Sequence, residues 1–420
     1  MPSAGRPPKP SPTVIAGYVA YMALGWYLSG IGSVLPELEG DVGDLSAVYP
    51  LLPGGVLLVW GLGRARRQHR THRDVRYADV VAVAGIALAV MVGVMGVTAW
   101  PAVSITGAVA GAIAAAALIR LLPAVFTDAR PDDTERVMVR ANGWSSLASI
   151  SAPLGIGLTI GVGVGWRIGM AGPIAVGALV AAVAVRVDRT RRGGSVASPG
   201  AREPVPPLRQ WGRAWAVVTV GIVVEFCFAY YAATFLHDEI GLSTATAAAG
   251  AAAWGGGMTL GRFALSVWTP PRSIAPTVAL VMVGFALLWA VATPTAAIIG
   301  IGVAGVGVAP LYPTRMTALM AFFPRSPDQG STRGAIASGA ALLIAPALMA
   351  TLRALTDVRT AYLAVPVLLV ILAVLDHQAV PGGGQVARRR PRRRRRRAAW
   401  REGSRFRGSE ERNAPISSVS

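Results

Sequence analysis

The chain has 420 residues, 53% hydrophobic and only 15% charged, with 40 Lys and Arg against 21 Asp and Glu for a net charge of +19. So few polar groups cannot coat a water-soluble core of this size, and the composition points to a bilayer. Cys227 is the one cysteine, which excludes an intrachain disulfide and a cysteine-built metal site.

A helix needs about 20 apolar residues to cross the hydrocarbon layer, because every backbone polar group must be satisfied within the segment. After a polar start, residues 1–12, twelve runs approach that length: 13–35, 45–63, 78–99, 102–125, 141–164, 168–186, 214–236, 243–267, 273–293, 296–320, 333–352 and 360–376. The first is longer than the apolar region of a signal peptide and reads as a span, not a cleaved leader. The gap 187–213, rich in Arg, Pro, Gly and Ser, reads as a flexible linker. Residues 379–420 read as a disordered basic tail whose 13 arginines attract anionic lipid. The expected fold is an all-α integral membrane protein, its 12 transmembrane helices forming two six-helix bundles, 13–186 and 214–378.

The gaps sort by charge. Alternate gaps, with the inner end of the fourth span, hold 37 of the 40 basic residues, including six arginines from Arg64 to Arg76, seven from Arg186 to Arg213 and 13 in the tail. The other side holds Arg167, Arg353 and Arg359, with most of the unaccompanied loop acids: Glu37, Glu39, Asp41, Asp44, Asp238 and Glu239. The positive-inside rule then puts both termini in the cytoplasm. Lys9 is the single lysine among 39 arginines, which fits a GC-rich bacterial genome and the cell membrane of a bacterium.

The halves echo each other. Leu62-Gly63-Arg64 recurs as Leu260-Gly261-Arg262 at an offset of 198, and Gly43 matches Gly241. Arg140, Ser145 and Ala152-Pro153 recur as Arg333, Ser338 and Ala345-Pro346 at an offset of 193. Internal repeats of this kind are common in transporters. With the twelve spans, the basic central gap and the inward termini, the chain resembles the major facilitator superfamily of secondary transporters over most of residues 13–378. Gly61-Leu62-Gly63-Arg64-Ala65-Arg66-Arg67 is similar to the basic signature that closes the family's second span, without its aspartate. Gly256-Gly257-Met258-Thr259-Leu260-Gly261-Arg262-Phe263 is the better counterpart, in span eight. Ser151-Ala152-Pro153-Leu154-Gly155-Ile156-Gly157 is similar to the fifth-helix signature of the family's proton-coupled exporters, and tips the direction toward export. Span four has no arginine near its outer end, where the family often carries one that takes part in proton coupling.

Glu225 is the one acid in the middle of a span. An ionised carboxylate there costs at least about 2.5 kcal/mol, so it is expected to face a cavity, pair, or stay protonated. It is the candidate for proton coupling or solute contact; a protonated side chain bonding two helices is the competing reading. Tyr27 is its repeat counterpart. Tyr21, Tyr27, Tyr230 and Tyr231, with Asn142 on span five, are candidates to line a cavity, against belt or bundle packing. Arg64, Arg262 and Arg120 are candidates to close the cytoplasmic side, against snorkelling to headgroups. Pro310 and Pro313 are expected to interrupt span ten, at a gate or in a packed kink.

The four histidines share no metal-ligand spacing with carboxylates, and no Walker-type loop is present. No cofactor, metal or catalytic residue is expected, nor nucleic-acid binding without a folded module for it. The reading is a monomeric, ion-driven secondary transporter of a small organic solute, with protons as the expected coupling ion; the rival is a polytopic sensor or scaffold that transports nothing.

Overall fold

The computed structural model describes residues 11–66, 100–129, 134–189, 206–267, 273–291, 293–323 and 327–379. Among these the chain is helical with short connections, and eleven of the twelve expected spans are present as helices. The third, 78–99, lies outside the described residues, as do 190–205 and everything beyond 379.

Span one runs from Pro12 to Val42. Ser11 caps it by accepting the Val14 N–H, and Gly43 ends it at φ 60°, a left-handed conformation that costs a glycine little. A short 3-10 turn, Gly43–Val48, leads to span two, Leu51–Arg66. Span four is Pro101–Ala129, span five Thr134–Gly161 and span six Trp166–Arg189. Span seven is Leu208–Asp238. Span eight divides into Thr244–Gly250 and Ala252–Val267, span nine is Ala275–Ala290, and span ten divides into Pro294–Val308 and Leu311–Met320. Span eleven is Pro327–Leu355, and span twelve divides into Val358–Ala361 and Ala364–Ala379.

Several helices outrun the apolar runs, since a helix continues past the hydrocarbon edge while its residues still favour it. The expected linker is shortened for this reason: Val187 to Arg189 belong to span six and Leu208 to Arg213 to span seven. In span ten the helix stops at Val308 and resumes at Leu311, a break at Ala309-Pro310. Pro313 falls in the first turn of the resumed helix, where its missing N–H has no partner to lose.

The halves meet along three seams, span one with seven, two with eleven, and five with eight. Exchanging the repeats maps the second seam onto the third. Each is a close backbone approach: Gly32 faces Ala229 and Tyr230, Gly54 faces Leu342 and Leu343, Gly339 faces Leu58, and Gly255 faces Ser149, with no room for a Cβ. Lipid tails supply no hydrophobic drive between helices, so contact of this kind holds the bundle together. Gly43 and Gly241, paired in the sequence repeat, both adopt positive φ, 60° and 73°, in the turn after the first helix of each half.

Candidate functional site

Glu225 lies near the middle of the 31-residue helix of span seven, half-buried, and among the described residues its carboxylate makes no hydrogen bond and no ion pair. Two groups stand within electrostatic reach of it, the guanidinium of Arg262 from span eight and the phenol of Tyr312 from span ten. Tyr21 of span one is within reach of both Arg262 and Tyr312, and Ser338 of span eleven lies close to Tyr312. Arg262 also crosses the seam, its Nη1 donating to Ser146 Oγ of span five at 3.0 Å. Six spans thus bring one carboxylate, one guanidinium, two phenols and two hydroxyls together. A charge pair held apart, with aromatic hydroxyls around it, can bind a proton or a small polar solute and respond electrostatically to either.

The remaining candidates sit elsewhere or deeper. Tyr27 and Tyr230 are 1% and 0% exposed where spans one and seven cross, and the Tyr230 hydroxyl is buried without a partner. Phe226, adjoining Glu225, packs on the Tyr230 ring at 4.9 Å. Tyr231, also buried, donates to the Pro346 carbonyl at 3.2 Å and ties span seven to span eleven. The Tyr21 ring lies 6.4 Å from that of Phe126 on span four. Arg64, Arg120 and Asn142 have helical backbones, but their side chains lie outside the described residues.

A second polar assembly caps the end that carries few arginines. Arg353, at the close of span eleven, donates from Nη1 and Nη2 to the two oxygens of Glu39 at 2.8 and 3.0 Å, and from Nη2 to Asp238 at 3.0 Å. Glu39 belongs to span one and Asp238 to span seven, so the clasp joins the two halves. Beside it Asp41 accepts from Arg167 at 2.8 Å and from the Trp166 indole at 2.9 Å, within the first half. Arg359 stacks on Trp289 at 5.0 Å and donates to its carbonyl. The three arginines that break the charge alternation are therefore all held. That exception to the alternation is the sequence signal for the clasp. Tyr312, between Pro310 and Pro313, carries no signal in its spacing that marks it as a site residue.

No family profile matches the sequence, and no curated protein matches it. Solved structures do match. A bacterial homologue of the human lysosomal transporter Spinster, inward-facing and unoccupied, superposes with a TM-score of 0.68 at 18% identity, over 87% of this chain and 96% of that one. Its occupied form gives 0.66 at 17% identity over the same shares. A variant of the nucleoside transporter NupG gives 0.62 at 15% identity, over 88% of this chain and 98% of that one. These are major facilitator transporters, and this chain, a multi-pass membrane protein, has their fold.

Proposed function

We propose that the protein is a secondary active transporter of a small organic solute, working by alternating access and driven by protons that bind Glu225. The observation that carries this reading is the mid-span carboxylate without a hydrogen-bond or ion-pair partner among the described residues, within electrostatic reach of Arg262 and Tyr312. A dry environment favours its neutral form and a wet one its ionised form, so exposing it to each side in turn loads and unloads a proton. The clasp of Arg353 supports the alternation, because it joins the halves through ion pairs that can part and re-form. The arginine bias supports cytoplasmic termini and a place in the bacterial cell membrane, which makes the clasped end the outer one. The fifth-span signature favours export.

The test is solute flux in proteoliposomes under an imposed proton gradient, with a solute screen in which nucleosides, the cargo of one structural neighbour, come first. Glu225→Gln is expected to lower proton-driven flux at least about a hundredfold, the range of general acid–base groups. Full coupled flux in that variant, with unchanged pH dependence, removes Glu225 from the mechanism. Absence of flux for every solute returns the chain to the sensor or scaffold class.

A further inference from the structure

Arg333 opens span eleven at the arginine-rich end and is only 9% exposed. Its guanidinium lies against the rings of Trp211, at 5.1 Å, and Phe323, at 4.9 Å, which touch each other at 5.9 Å. Nη1 donates to the Gln329 carbonyl at 2.9 Å, Nε is buried without a partner, and the Arg333 carbonyl accepts the Trp215 indole at 3.1 Å. Among the described side chains no carboxylate neutralises it. Burying an unpaired charge is costly, and two cation–π contacts offset part of that cost. With Nη1 taken by the Gln329 carbonyl and the two rings adjoining one another beside the guanidinium, what remains for a ligand is the edge formed by Nε and Nη2, the fork that matches two oxygens of one oxyanion. The box lies within the first two turns of a 29-residue helix, whose free N–H groups and dipole favour negative charge at the same place. Its repeat counterpart Arg140 is exposed, and the counterpart of Trp211 is Thr13, so these repeat positions do not form a matching box in the first half.

We propose that this box binds a phosphate oxyanion, delivered by the headgroup of an anionic lipid. The lipid source follows from position: the box sits at the end of a span, on the arginine-rich side, beside Trp211 and Trp215, a residue type that settles at headgroup level. Leu208 and Ser331, on neighbouring turns, are exposed, so the box lies next to the surface.

The full-length protein in neutral detergent is titrated with phosphatidylglycerol, phosphatidylcholine or inorganic phosphate. Retained lipid is counted by native mass spectrometry, and the melting temperature is read from tryptophan fluorescence. Wild type is expected to retain one phosphatidylglycerol more than Arg333→Gln, with about tenfold weaker binding of that lipid in the variant, the worth of one charge-assisted hydrogen bond. Phosphatidylcholine is expected to change neither readout. Arg333→Lys, keeping the charge without the fork, is expected to fall between. Trp211→Leu leaves the arginine and removes one wall; severalfold weaker retention there supports the proposal even if Arg333→Gln does not fold. Tail arginines bind lipid alike in every variant, so equal phosphatidylglycerol retention by wild type, Arg333→Gln and Trp211→Leu overturns the proposal. Stabilisation by inorganic phosphate with no preference for phosphatidylglycerol overturns the lipid assignment.

Discussion

Arg353 and Arg333 close the two ends of the same helix and are held in opposite ways. Arg353 is fixed by two carboxylates from two other spans, one of them in the opposite half. Arg333 is fixed by two aromatic rings and no described carboxylate, all within its own half. The same contrast runs through both ends. Where arginine is rare, Arg167 and Arg359 are also tied down, to Asp41 and to Trp289. Where it is common, Arg140 and Arg209 are simply exposed, although Arg315 pairs with Asp376 at 3.0 Å. A guanidinium on the side that the orientation rule disfavours needs protein partners, whereas on the favoured side anionic headgroups are available to it.

This contrast can be broken most directly at Arg353. With Cys227→Ser as background, spin labels at Val164→Cys and Leu363→Cys report the separation of the halves at the clasped end. Arg353→Ala is expected to shift the equilibrium toward the open form about fivefold, roughly 1 kcal/mol after allowing for solvent screening of a partly exposed network. An unchanged distance distribution would mean that the clasp does not hold the halves. Arg353→Lys keeps the charge but loses the two-pronged contact, and about half that shift is expected. Asp41→Asn sharpens the comparison, since it releases a pair confined to one half. It is expected to lower thermal stability by less than about 1 kcal/mol and leave the label distances alone.

The smallest effect is expected at Asp357, which caps span twelve by accepting the Thr360 N–H at 2.7 Å and the Thr360 hydroxyl at 3.0 Å. The Thr360 N–H, helped by the hydroxyl, holds its carboxyl below the ordinary carboxylate value. A depressed value means that the cap's contribution is present above the unfolded value, about 3.9. It is lost as pH falls through the lower folded value. Asp357→Asn is expected to flatten the acid limb of a melting-temperature profile slightly and leave the neutral region nearly unchanged.

The eleven described spans were legible because hydrocarbon thickness imposes a length that their apolar runs approach, and the match of Gly43 with Gly241 was legible because a turn that needs positive φ selects glycine in both halves. The site was only half legible. Glu225 could be isolated from its cost at mid-membrane, but its neighbours Arg262, Tyr312, Tyr21 and Ser146 come from four other spans. The place of Arg262 near a helix end suggests the cytoplasmic mouth, and its side chain is also long enough to reach Ser146 across a seam and stand within electrostatic reach of Glu225. Residue spacing along a helix gives its faces; it does not give the reach of a side chain between helices.

The glycine contact of span one with span seven has a mechanical consequence. Backbone pressed against backbone at Gly32 cannot compress, so it serves as a fulcrum rather than a spring. Tyr230, at the crossing, and Asp238, at the clasp, are 8 residues apart on span seven, an arm of about 12 Å at 1.5 Å of rise per residue. A tilt of about 10° over such an arm displaces its end by roughly 2 Å, enough to part hydrogen bonds of ordinary length. Small rotations at the crossing are thereby magnified at the clasp, and substituting a larger residue for Gly32 would change the leverage as well as the packing.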